Sequence, residues 1–196
     1  MKKSTIIILS LVVVFLIATL SLQNSYNKMV EMEESVSKAW AQVENQYQRR
    51  MDLIPNLVNS VKGSISAEKD ILESVIKARA SATSITVDPS KLSPEQIASY
   101  QQAQDGLSTA LGRLLVVVEK YPDLQSIQGF SDLRVQLEGT ENRISIERRN
   151  FNETVAMYNT YIKKFPTNIM ARLFGFNQKG YFKAVAGSES VPEVKF

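Results

Sequence analysis

The chain has 196 residues and a mass of 22.0 kDa, with 44% hydrophobic and 22% charged residues, the balance of a folded domain rather than a disordered tail or a polytopic membrane protein. It contains no cysteine and no histidine, which excludes disulfides, Ser-His-Asp and Cys-His catalysis and nearly every transition-metal site. A formal charge of +3 carries information only through where the basic residues gather.

Lys2 and Lys3 precede an uncharged run, residues 4–22, rich in Ile, Leu and Val. As a helix it extends about 29 Å, enough to cross a hydrocarbon core. The run is longer than a signal-peptide core and lacks a clear Ala-x-Ala-like cleavage site, so it reads as a transmembrane anchor over residues 1–23. Two lysines and the α-amino group before the span, against Lys28 and Lys38 after it, favour a cytoplasmic N-terminus with the body outside.

Residues 24–62 contain no glycine, and Val36, Trp40, Val43, Tyr47, Ile54, Leu57, Val58 and Val61 recur at helical spacing. Pro55 predicts a kink near residues 51–55, and Gly63 with Ser64 a turn. A second helix spans about 67–84, and Asp88-Pro89-Ser90 marks the loop after it. Ser93-Pro94-Glu95-Gln96 is a capping box with proline at the first helical position, opening a third helix that Tyr121-Pro122 stops. The apolar run 114–118 belongs deep in the body or at a contact with another subunit. Phe130, Leu133, Leu137, Thr140, Ile144, Phe151, Val155, Tyr158, Ile162 and Phe165 then define a fourth helix of roughly 36 residues. The expected fold is all-α: a transmembrane helix, a long antiparallel four-helix bundle over 24–166, and a basic, aromatic short helix with an extended tail over 167–196.

Several runs stand out: Tyr26-Asn27-Lys28-Met29-Val30, Ala39-Trp40, Arg49-Arg50-Met51-Asp52-Leu53-Ile54-Pro55-Asn56-Leu57-Val58, Leu137-Glu138-Gly139-Thr140-Glu141-Asn142-Arg143-Ile144, Arg148-Arg149-Asn150-Phe151-Asn152 and Phe165-Pro166. Together, in this order, they resemble the bacterial LemA family. Phe151 stands where the family commonly has tyrosine, which keeps the packing and drops a hydroxyl. The resemblance implies a membrane-anchored helical bundle with no defined reaction, linked to cell-envelope stress and, in one branch, to magnetosome membranes.

Two polar clusters interrupt the apolar stripes. Arg49 and Asp52 are placed to pair along one helix while Arg50 reaches another. Glu138, Glu141 and Arg143 flank Thr140 on the fourth helix. If the two long helices pack together, an arginine of the first set meets Glu138 or Glu141 in a structural ion network that fixes register. No carboxylate pair sits in an evident cleft, and without histidine the di-metal carboxylate bundle fails. Neither catalysis nor a cofactor is expected.

Between Glu153 and Glu189 there is no acidic residue, and Lys163, Lys164, Arg172, Lys179 and Lys183 all fall there. Ile169, Met170, Leu173 and Phe174 share a helical face after Pro166, with Phe165, Phe176, Tyr181 and Phe182 nearby. An up-down-up-down body returns its fourth helix to the membrane end. Lys163, Lys164, Phe165, Ile169, Met170, Arg172, Leu173, Phe174, Phe176, Lys179, Tyr181 and Phe182 are therefore expected to form a lipid-facing foot, the alternative being that the apolar members cap the core. The tail 191–196 is either disordered or added to a neighbouring subunit. The chain reads as a non-enzymatic envelope scaffold contacting membrane lipid and self-associating, or as an adaptor for an envelope protease or sensor. Nucleic acid is not an expected partner.

Overall fold

Leucine, valine and isoleucine over the first twenty positions, and an unbroken glycine-free sequence after them, let one helix run without a stop. In the computed structural model, which describes residues 3–62, 68–125 and 128–184, α1 (Lys3–Lys62) is a single helix of 60 residues, about 90 Å long. Its character changes along its length. Between Leu9 and Leu22 the described side chains are exposed, Phe15 at 68%. From Met29 one stripe turns inward through Val36, Trp40, Val43, Tyr47, Met51, Ile54, Leu57 and Val61.

The helix continues through Pro55. Proline supplies no amide to the carbonyl four residues back, Met51 O, and that carbonyl instead accepts a hydrogen bond of 3.1 Å from Arg79 Nε. A neighbouring helix thus repairs the gap in the ladder.

Arg79 lies on α2 (Lys69–Ser84). The turn expected at Gly63 and Ser64 lies outside the described residues. The loop after α2 tightens at Asp88, whose carboxylate accepts from the Ser90 amide and hydroxyl; those bonds hold its pKa below the ordinary value. α3 (Pro94–Val118) opens with the anticipated capping box: Gln96 N donates to Ser93 Oγ, and Ser93 N to Gln96 Oε1. In its apolar run Leu114 and Val118 are buried, whereas Val116 is 60% exposed. A single turn, α4 (Pro122–Gln125), precedes α5 (Gln128–Lys163), a helix of 36 residues. α6 (Thr167–Phe174) ends at Gly175, whose φ of 78° lies in the left-handed region that glycine enters freely. Residues 175–184 continue without helix or strand.

The buried side chains form two apolar clusters. One joins Met29 to Tyr47 of α1, Ile97 and Tyr100 of α3, and Ile144 to Ile162 of α5 with Met170 and Phe182. The other joins Met51 to Val61 with Leu72 and Val75 of α2, Leu107 to Val118 of α3, and Phe130 and Leu137 of α5. Trp40 centres the first, edge-on to Tyr100 and Phe151 and stacked on Phe182 at 6.0 Å.

Candidate functional site

Between the two clusters sits Arg50, only 1% exposed. Its Nη1 donates to Glu141 Oε2 at 2.8 Å and to Ser108 Oγ at 2.7 Å, and its Nη2 to the Gln104 side chain at 2.6 Å. The guanidinium also lies over the Tyr47 ring at 5.0 Å. This group ties α1 to α3 and α5 at one level, because a buried cation must find several acceptors at once. Glu141 is the carboxylate engaged; Glu138 pairs along its own helix with Arg134. Asp52 accepts from Gln48 rather than from Arg49, and Arg49 and Arg143 are exposed. Burial pushes the neighbouring Tyr47 phenol up to about 12 and those of Tyr100 and Tyr158 upward as well.

The basic C-terminal region divides in two. α6 lies against the base of the body, where Tyr26 meets Phe174 at 5.0 Å and Phe176 at 5.7 Å, both edge-on. Tyr26 is one turn past Leu22, about 6 Å along the helix. Phe165, Ile169, Leu173 and Phe174 are exposed there, Phe165 at 80% and Leu173 at 74%, and Lys163, Lys164 and Arg172 are exposed on the same segment. Met170 turns inward and Phe176 is half-buried against the core.

Lys179, Tyr181 and Phe182 correct the expected lipid-facing group. After Asn177 the chain turns back along the body and carries them away from α6. Lys179 is 3% exposed, with its ammonium 2.6 Å from Glu33 and donating to the Ser90 carbonyl. Phe182 is a core residue beside Trp40 and Phe151. Tyr181 lines an open groove with Arg148, Asn152 and Ala156 of α5.

Side-chain amides hold this returning segment. Asn159 donates to Lys179 O and accepts from Lys179 N; Asn152 does the same with Phe182, and Gln101 with Lys183, at 2.9–3.0 Å. Arg148 adds a bond to Lys183 O, sits over the Phe182 ring and meets Asp105 at 3.7 Å. Each amide presents one donor and one acceptor, matching the two main-chain groups of an extended residue. The one trace of this grip in the sequence is the pair Asn152 and Asn159, seven apart, at positions flanking the apolar stripe of α5.

Among the described residues no group of three or more acidic side chains is placed to hold a metal. The LemA family profile matches residues 39–196, from the middle of α1 through the Arg50 cluster, α6 and the returning segment. The chain belongs to the LemA family. Magnetosome protein MamQ 2 of Paramagnetospirillum magneticum is 30% identical over 192 residues, covering 87% of this chain and 68% of the relative. Magnetosome protein MamQ of Magnetospirillum gryphiswaldense is 29% identical over 174 residues, covering 80% and 64%. Protein LemA of Metamycoplasma hominis is 23% identical over 158 residues, covering 81% and 68%. The similarity of this LemA-family chain to the MamQ proteins thus extends over most of its length.

Proposed function

We propose that this LemA-family protein is a non-enzymatic, single-pass scaffold of the bacterial cell envelope, its body an antiparallel four-helix bundle of α1, α2, α3 and α5 that rests one end on the membrane. The observation that carries the reading is α1, which passes unbroken from an exposed apolar stretch long enough to span a bilayer into a buried stripe. The antiparallel arrangement is supported by the pairing of Trp40 with Phe151 and, ten residues further along α1, of Arg50 with Glu141, ten residues earlier on α5. The names of the relatives, magnetosome proteins and a LemA protein, denote no reaction.

Lys163, Lys164 and Arg172 face anionic headgroups in this reading, while Phe165, Ile169, Leu173 and Phe174 enter the acyl boundary. Each basic residue at an anionic surface contributes about 1 kcal/mol, so three suffice for a reversible dock in addition to the anchor. The N-terminus faces the cytoplasm and the body lies outside, self-associating through its helices.

Deleting residues 1–23 leaves both clusters intact, since the buried stripe begins at Met29. Such a body, with unchanged circular dichroism, is expected to float with vesicles rich in anionic lipid and to stay behind with neutral ones. A body that remains in solution with every mixture ends the docking assignment. Mass measurement of the detergent-extracted full-length protein tests self-association, for which a monomer is the contrary result.

A further inference from the structure

The short helix α6 carries two different recesses on its two sides. Towards α1 lies an apolar cleft of about 360 Å³ walled by Leu22, Tyr26, Met170, Leu173 and Phe174, with Gln23 at its edge. On the other side is a polar pocket of about 300 Å³ whose walls include Lys163, Asn168, Arg172, Asn177 and Gln178. Phe176 stands between the two, lining the polar pocket while its ring packs edge-on against Tyr26 in the wall of the cleft. The helical repeat explains the division: Met170, Leu173 and Phe174 fall on one side of α6, and Asn168, Ala171 and Arg172 on the other.

A ligand spanning both must have an apolar tail and an anionic head. The cleft is continuous with the exposed apolar length of α1, whose last residues, Leu22 and Gln23, form one wall. In a bilayer it opens where the span leaves the hydrocarbon, so the tail it meets is an acyl chain. Lys163 and Arg172 supply positive charge to the polar pocket, fitting a phosphate diester. Asn168 supplies the finer constraint. Its side-chain oxygen is buried and accepts no hydrogen bond, an arrangement that costs stability unless a donor fills it. A headgroup that bears hydroxyls as well as a phosphate meets both demands.

We infer that α6 and the base of α1 form a binding site for a single anionic phospholipid with a hydroxylated headgroup, of the phosphatidylglycerol class. One acyl chain lies in the Leu22–Tyr26–Leu173 cleft, and the head is held by Arg172, Lys163 and the Asn168 carbonyl oxygen. This rests on the docking reading above and deepens it from a surface to a defined lipid. General docking needs only charge near the bilayer; the site needs stoichiometry and a chosen headgroup.

The test is native mass spectrometry of the full-length protein released from nanodiscs of phosphatidylcholine doped with either phosphatidylglycerol or phosphatidylethanolamine. The expected result is one phosphatidylglycerol retained per chain, in preference to either zwitterionic lipid. Arg172→Gln and Asn168→Leu are each expected to lower that preference about tenfold, the loss of one charge-assisted or one buried hydrogen bond. Leu173→Asn is expected to lower retention itself. Lys38→Gln removes an exposed charge elsewhere on α1 and leaves retention unchanged. Arg172, Leu173 and Lys38 are exposed, so those variants keep the fold, and circular dichroism verifies it for Asn168→Leu. No retained lipid, several retained without preference, equal retention of phosphatidylethanolamine, or an Arg172→Gln effect matched by Lys38→Gln each overturns the site. If the truncated body still floats with anionic vesicles in any of those cases, docking stands and only the lipid site is lost.

Discussion

Arg50 and Glu141 have unequal surroundings, and the energetics follow. The arginine side chain is 2% exposed and the glutamate 56%, so removing the carboxylate strands a buried cation, whereas removing the cation returns a carboxylate to water. Glu141→Ala is expected to cost about 3 kcal/mol and Arg50→Met about 1 kcal/mol, the latter from the acceptor left unpaired on Gln104; urea titration followed by circular dichroism measures both. Tyr47 gives a pH signature. Its phenol holds its proton to about pH 12 in the fold against 10.0 for the ordinary group, because burial opposes the charged form. The folded state therefore binds more protons than the unfolded one in this window. The contribution of Tyr47 to stability is constant below pH 10 and falls as pH rises from there towards 12. Its hydroxyl has no hydrogen-bond partner, so Tyr47→Phe is expected to leave neutral-pH stability within about 1 kcal/mol of the parent and to reduce the alkaline loss; thermal melts at pH 7 and pH 11 read both effects. At this scale charged residues set against two apolar stripes suggested that Arg49 or Arg50 would meet Glu138 or Glu141, but not that the pair would be Arg50 with Glu141. Lys179 was not legible, because its partners Glu33 and Ser90 are remote in sequence and nothing local marks a lysine for burial.

Helix starts and stops were the most readable feature, because capping and proline chemistry act within a few residues: Ser93 and Gln96 cap α3 as their spacing requires. Pro55 has no amide to give the Met51 carbonyl, and the bond that replaces it was invisible in the sequence because Arg79 comes from another helix. That pair permits a direct test. Arg79→Ala is expected to cost about 1 kcal/mol in the parent and almost nothing beside Pro55→Ala, where an alanine amide again bonds the Met51 carbonyl. A double-mutant cycle on unfolding free energies measures the coupling, and additive effects would contradict the repair. The returning segment carries a steric constraint of its own. A Cβ on Gly180 would lie 2.7 Å from the Pro94 Cα and 3.0 Å from the Ser93 carbonyl oxygen, while the Gly180 amide bonds the Leu92 carbonyl at 2.8 Å. Gly180→Ala is expected to cost about 2 kcal/mol and to open residues 177–184 to protease while the long helices stay intact; limited proteolysis reports it.

For the whole molecule, the helical character of the described residues and the apolar span near the N-terminus were readable because each rests on periodicity or length. The path of the last residues was not. It depends on Asn152, Asn159 and Gln101 grasping main chain, a recognition that leaves no pattern in the segment being grasped. Because Phe182 belongs to the cluster around Trp40 and not to the one beyond Arg50, truncation after Asn177 is expected to weaken the two unequally. Hydrogen exchange should accelerate in residues 29–47 and 144–162 and stay near the parent rate in 54–61 and 107–118. Uniform acceleration would mean that the two clusters open together.

The uninterrupted backbone of α1 has a mechanical consequence. Its portion beyond Gln23 is about 60 Å long, so with the apolar length seated in a bilayer as proposed, any lean of the span in a thicker or thinner bilayer is passed along the same continuous helix to its far end. A change of ten degrees sweeps that end through about 10 Å, turning the thickness of the surrounding lipid into a displacement at a distance.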